Sequence, residues 1–361
     1  MRAWSAGTVY RGHARFLSPR EVGVDGDGLS AERIFINVGG RALVPDLPGI
    51  DRVVTLTNTS ILELQTLPRH LVVVGGSYVG LEFAQMFRRF GSAVTIVEKA
   101  PRLIAREDED VSAAVKGILE AEGITVRVDA ECIRFEPRGA EIAVGAKCAS
   151  GAPEVVGSHV LLAIGRRPNT DDLELDKAGI AVDARAYIVV DDELRTSAPN
   201  IWALGDCNGR GAFTHTSYND FEIVAANLLD GERRRVNDRI PAYALYIDPP
   251  LGRVGITEAQ ARATGRPLLV GCRPMTRVGR AIEKGETQGF MTAIADAETH
   301  QILGAAILGT GGDEAIHGIL DAMNARVPYT VLQRAMPIHP TVSELIPTLL
   351  GEMKPAPSLR P

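Results

Sequence analysis

The stretch from Leu71 to Glu82, LVVVGGSYVGLE, constrains the fold of this chain more than any other. A short apolar run, Leu71 to Val74, stops at two glycines; Val79, Phe83, Met86 and Phe90 then recur at helical spacing until Gly91. A strand that turns through glycine directly into a helix collects free N–H groups and a positive dipole end at one point. That point suits the pyrophosphate of a dinucleotide. Gly75 allows the sharp turn, with Gly76 beside it, and Gly80 lets helix and strand approach closely. Ser77 stands where GxGxxG has its middle glycine and is small enough to let phosphate approach the backbone. Tyr78 and Val79 open the helix. Glycines alone are a weak signal; the strand before them and the helix after them give the motif its meaning.

Val94 to Val97 reads as a second strand, and Glu98 ends it 23 positions after Gly75. A carboxylate there accepts hydrogen bonds from both adenosine ribose hydroxyls and repels a 2′-phosphate, which favours NADH over NADPH. Lys99 and Arg102 stand close enough in sequence to keep NADPH open. Asp108, Glu109 and Asp110 place negative charge at a helix start. Val111, Val115, Ile118 and Leu119 line one face, Gly123 ends the helix, and Ile124, Val126 and Val128 alternate as a third strand. This βαβαβ order implies a parallel sheet with helices on its faces. An ordinary βαβ unit without a ligand is the competing reading, and the acid at position 98 weighs against it.

A chain of 361 residues has room for two or three domains. We divide it into 1–67, 68–180, 181–238 and 239–361, the last an α+β segment entered through IPAYALYIDPPLGRVGIT. The net charge of −6 gives no support to a nucleic-acid surface, and Glu232 to Arg235 reads as a solvated turn. The first residues lack the apolar core of a signal peptide, and no apolar run is long enough to span a bilayer, so a cytoplasmic location is expected. Cys132, Cys148, Cys207 and Cys272 are scattered without CxxC spacing, which argues against a disulfide framework or a metal site and for idle thiols. The Pro-rich end, KPAPSLRP, is expected to fray.

Further motifs follow in order: IFINVGG (34–40), AIGRRPNT (163–170), TSAPNIWALGDC (196–207), DPPLGRVGIT (248–257) and IHPTVSE (338–344). With the glycine turn they resemble the pyridine nucleotide–disulfide oxidoreductases. The resemblance covers nearly the whole chain from about residue 34. It implies a Rossmann-like NAD(P)-binding domain inserted in a partial FAD-binding domain, followed by a C-terminal α+β dimerisation domain. By this resemblance Gly39, Gly165, Arg166 and Gly205 belong to the cofactor sites and Asp206 meets the ribityl chain of FAD. Tyr78 would gate the nicotinamide pocket and Glu82 would approach the nicotinamide carboxamide. His339 and Glu344 would form the acid–base dyad, acting in the partner subunit's active site, so a homodimer is expected. Imidazole suits proton exchange because it titrates near neutrality.

GGSYVGLEFAQMFRRFG, FTHTSYNDFEIVAANLL and HPTVSELIPTLLGE resemble most the mercuric-reductase-like members. The vicinal cysteines that capture mercury near the end of those enzymes have no counterpart in GEMKPAPSLRP. The first GxGxxG and the CxxxxC pair of typical members are also not among these residues. We therefore expect an oxidoreductase that passes electrons from NAD(P)H through FAD to a disulfide, metal ion or related acceptor. The isolated chain is expected to bind NADH but to hold FAD poorly. A non-catalytic nucleotide-binding or dimerisation remnant is the alternative.

Overall fold

The computed structural model describes residues 7–147 and 153–356; Cys148 and the last residues of the Pro-rich end lie outside them. The chain divides into two compact units. One comprises the residues up to Leu43 together with Gly165–Arg239, and the other Val44–Ile164 together with Ile240–Pro361. Residues 44–67, grouped in sequence with the first segment, thus fold with the nucleotide sheet, and the C-terminal segment joins that same unit.

The larger unit is built on a parallel sheet. Its strands are β1 (His70–Val74), β2 (Ala93–Val97), β3 (Thr125–Arg127) and β4 (His159–Leu162), in the order β4–β1–β2–β3. Helix α1 (Tyr78–Phe90) links β1 to β2, and α2 (Glu109–Ala121) links β2 to β3. Both faces of β1 are buried, and they face different cores. Leu71 and Val73 pack with Leu81, Ala84, Ile96, Val115 and Leu119 beneath the helices. Val72 and Val74 pack on the other face around Phe135. The continuous apolar run of β1 is the expected signature of a strand covered on both sides. The second cover is an antiparallel sheet of Glu131–Arg138, Glu141–Lys147 and Glu154–Gly157.

The C-terminal part of this unit is a six-stranded antiparallel sheet. Its strands are β5 (Ala242–Leu245), β6 (Leu251–Gly255), β7 (Leu268–Pro274), β8 (Phe290–Asp296), β9 (Ile302–Leu308) and β10 (Lys354–Pro355), in the order β5–β6–β9–β8–β7–β10. Helix α3 (Glu258–Ala263) follows β6, its start closed by a capping box between Thr257 and Gln260. The sheet covers a core of Val254, Met291, Ala305, Ile307 and Leu349.

In the smaller unit, Ala14–Ser18, Glu21–Val24 and Asp27–Ser30 form an antiparallel meander. Ile201–Ala203 pairs in parallel with Ile34–Ile36, and Arg166–Pro168 pairs antiparallel with Gly40–Ala42. The helix read near 219–230 begins earlier, at Thr214, and runs to Ala225 before a π turn over Ala226–Asp230.

Phe135 is fully buried under β1, β2 and β4 with Val72, Val74, Val97, Val160 and Leu162. Phe135→Ala should therefore cost about 3–5 kcal/mol, the usual penalty for an aromatic cavity in a core. Urea unfolding checks this; a loss below about 1 kcal/mol would show that the second cover of the sheet is dispensable.

Candidate functional site

The glycine turn is held by backbone contacts that leave no room for side chains. Gly75 has φ of +113°, and a Cβ added there would lie 2.3 Å from the carbonyl oxygen of Ala163. A Cβ on Gly80 would lie 2.3 Å from the carbonyl oxygen of Gly75. The first turn of α1 can therefore sit on the end of β1 only with glycine at both positions. Ser77 is the N-cap residue in extended conformation, and its side chain makes no cap hydrogen bond. Val79 is half-buried.

Glu98 follows β2 directly and faces this turn. Its Oε2 accepts a short hydrogen bond from the Gly76 N–H, and its Oε1 accepts from the Ala100 N–H at 2.7 Å. A carboxylate with both oxygens fixed to backbone N–H groups keeps lone pairs for ribose hydroxyls in a set position. The Gly76 carbonyl is engaged as well, accepting from the Ile104 N–H at 2.8 Å. Arg102 donates through Nη2 to the carbonyls of Ala105 and Glu107, both at 3.3 Å, which ties one end of its guanidinium to backbone. The glycine turn and the placed acid fit a nicotinamide dinucleotide.

Two further residues of α1 occupy sites that the motif does not reveal. The Tyr78 hydroxyl donates to Oε1 of Glu107 at 2.9 Å, and its ring meets Tyr243 edge-on at 5.7 Å. Burial first, then the Glu107 charge, raises this phenol far above its usual range. Glu82 is half-buried, and its Oε1 accepts from the Tyr246 N–H at 2.9 Å. Burial pushes its carboxyl up.

The smaller unit brings together Gly39, Gly165, Arg166, Gly205 and Asp206. Arg166 donates to the Gly40 carbonyl and lies 3.4 Å from Oδ2 of Asp206. The turn that carries Asp206 is anchored from below by Asp220, which is 2% exposed. Its carboxylate accepts from the Gly205 N–H and from the Asn208 side chain, both at 2.9 Å, and pairs with Arg239. Asp206 is thus a partly exposed carboxylate in the anchored turn that follows the strand Ile201–Ala203, which fits the polyol chain of a flavin.

In the larger unit, His339 Nδ1 lies 2.8 Å from Oε2 of Glu344. The imidazole is 79% exposed, while the carboxylate is only 16% exposed. Thr341 braces the turn by donating to the Ile338 carbonyl and accepting from the Glu344 N–H. With Nδ1 held by the acid, Nε2 is the nitrogen left to exchange a proton with a reactant.

Asp108 illustrates what sequence reading missed. It is the N-cap residue of α2 but makes no side-chain cap there. Its oxygens accept instead from Arg253 at 2.7 Å and from the N–H groups of Glu258 and Ala259 at 3.1 Å, at the start of α3. The acidic run Glu107 to Asp110 was the available signal, and its partner Arg253 is 145 residues away. Among the described residues no group of three or more His, Cys, Asp or Glu is placed to hold a metal ion. Cys207 is buried, while Cys132 and Cys272 are exposed. No described helix is long and apolar enough to cross a membrane.

Comparisons with known proteins identify the family of the chain. Residues 4–220 match the family described as pyridine nucleotide-disulphide oxidoreductase, and residues 241–350 match the dimerisation domain of that family. The chain is 37% identical to the probable pyridine nucleotide-disulfide oxidoreductase RclA of Escherichia coli K12, over 96% of this chain and 79% of that protein. It is 30% identical to a mercuric reductase of Bacillus cereus, over 93% of this chain and 53% of the relative. Among solved structures it resembles the Cu(II) complex of the HOCl-induced flavoprotein disulfide reductase RclA from E. coli. That match has a TM-score of 0.88 at 36% identity and covers 94% of this chain and 78% of that one.

Burial alone would push the Asp108 carboxyl up, but Arg253 and the two helix N–H groups outweigh it and hold the group below its usual range. A carboxyl lowered in the folded state adds stability that is complete above its unfolded pKa, about 3.9, and is lost as pH falls. Urea midpoints between pH 6 and pH 3 should therefore fall more steeply for the wild type than for Asp108→Asn. Parallel curves would contradict the assignment.

Proposed function

Because the chain belongs to the pyridine nucleotide-disulphide oxidoreductase family, we propose a role for each part of its site in an electron path from NADH to an acceptor. The protein is an FAD-dependent NAD(P)H oxidoreductase. In our reading residues 75–80 receive the dinucleotide pyrophosphate on the amino end of α1, and Glu98 accepts the adenosine ribose hydroxyls. The observation that carries this reading is the Glu98 carboxylate, fixed on Gly76 and Ala100 at the edge of a turn that excludes side chains. A negative charge there and an Arg102 already engaged with carbonyls favour NADH over NADPH.

Asp206, with Arg166 beside it, would hold the ribityl chain of FAD, and Asp220 would keep that carboxylate in place. The bound flavin supplies the chemistry that takes hydride from nicotinamide and hands electrons onward. Glu344 orients the His339 ring through Nδ1, so that Nε2 moves a proton to or from the acceptor. The exposed ring, with Met336 and Ile338 at 96% and 79% exposure beside it, would be covered by a second copy of the chain. We place this homodimer in the cytoplasm. The acceptor class is a disulfide or a thiophilic metal ion; the relatives' names include a mercuric reductase and a disulfide reductase seen with Cu(II).

Titration of the purified chain with NADH and NADPH tests the reading. The wild type should bind NADH more tightly, and Glu98→Ala should weaken NADH about tenfold, as expected for losing charge-assisted hydrogen bonds, while narrowing the difference from NADPH. Unchanged affinity in Glu98→Ala would remove Glu98 from the site.

A further inference from the structure

Glu107 is a fully buried carboxylate with an unusual set of partners. It lies at the end of the segment that wraps the glycine turn, where the Ile104 N–H donates to the Gly76 carbonyl and the Glu107 N–H donates to the Ile104 carbonyl. Its side chain has no exposure, and Arg253, also fully buried, approaches it at 3.0 Å through Nε. That contact is one of charge rather than a hydrogen bond: neither Oε2 of Glu107 nor Nε of Arg253 finds a hydrogen-bond partner. The hydrogen bonds to this carboxylate come from two phenols, both on Oε1. Tyr78 donates at 2.9 Å and Tyr243 at 2.7 Å. A buried carboxylate without donors is costly, so both hydroxyls are held where they are.

The two donors come from different parts of the unit. Tyr78 is the first residue of α1, in the turn proposed above to receive the pyrophosphate. Tyr243 and Arg253 are direct cross-strand partners on β5 and β6 of the C-terminal sheet, so one rung of that sheet presents a phenol and a guanidinium to Glu107 together. The same stripe of α1 carries other contacts to this segment. Glu82 accepts from the Tyr246 N–H, and Arg89 reaches Asp248 at 2.6 Å near the far end of the helix. Burial above all keeps both phenols protonated donors, with Tyr243 pushed up to about 12.

We propose that Glu107, Tyr243 and Arg253 are positioning residues for dinucleotide binding, through which the C-terminal sheet fixes Tyr78 and with it the first turn of α1. The proposal rests on the nucleotide site assigned above and adds its support. Fixing the turn before the ligand arrives removes part of the ordering cost of binding, so loosening it weakens affinity without removing any contact to the ligand.

The test is NADH binding by the full chain, followed by fluorescence titration, in wild type, Tyr243→Phe, Tyr78→Phe and the double variant, with Arg89→Ala as a control at the other end of the helix. Thermal unfolding confirms that each is folded. Tyr243→Phe deletes one hydroxyl that is not proposed to touch the ligand, and should raise the Kd for NADH about fivefold, the ratio that one net hydrogen bond is worth. In the Tyr78→Phe background the same substitution should add nothing, because the residue through which it acts no longer engages Glu107. Arg89→Ala should leave the Kd unchanged. A Kd in Tyr243→Phe equal to or tighter than wild type overturns the proposal, as does an equal increment in both backgrounds or an equal loss in Arg89→Ala. Failure of the wild type itself to bind NADH would instead sink the nucleotide assignment, and this proposal with it.

Discussion

The approach of α1 to the end of β1 is the constraint on which the rest of the nucleotide half depends. A methyl group on Gly80 would sit 2.3 Å from the Gly75 carbonyl oxygen, well inside van der Waals contact. Without that approach the amino end of α1 would not stand over the strand end. Glu98 could not then reach the Gly76 N–H, nor Ile104 the Gly76 carbonyl. Three chain segments therefore meet at one residue, Gly76, and a fourth, around Ala163 after β4, closes the far side at Gly75. The sheet order β4–β1–β2–β3 places β1 centrally, so the turn is supported by parallel neighbours on both sides.

Around this turn the unit spends its buried charge. Arg253 joins Glu107 and Asp108, which link the segment before α2 to the start of α3. In the smaller unit Asp220 and Arg239 play the same part beneath the loop that carries Asp206. In each case a buried ion pair lies behind a proposed ligand-binding group rather than in front of it. Such pairs contribute little net stability because desolvation offsets their attraction, but breaking one leaves an uncompensated charge. Their effect is to hold one arrangement of the loop.

Much of this was legible in sequence because the responsible residues are local. The run Leu71 to Gly91 contains its strand, turn and helix, and Glu98 follows within one further strand; the short motifs around Asp206 and His339 are equally compact. The family profiles confirm the family reading they suggested. Helical spacing located α1 without showing how deeply each position is buried. Val79, Phe83, Met86 and Phe90 share a stripe, of which Phe83 and Met86 pack against the core while Phe90 is 61% exposed, and the buried positions include Gly80, Leu81 and Ala84. Small residues make the closest approach to the sheet, and a hydrophobicity pattern underweights them. The Glu107 cluster was invisible for a different reason: Tyr243 is 136 residues from Glu107, and its pairing with Arg253 exists only once β5 and β6 are in register. Asp108 was read as part of a helix start, whereas its carboxylate serves a different helix.

Hydrogen exchange of the chain with and without NADH tests the central claim most directly. If the dinucleotide lies on the amino end of α1, slowed exchange should concentrate on the backbone N–H groups from Gly76 to Glu82 and around Glu98. Protection centred elsewhere in the chain, or none at saturating NADH, would contradict it.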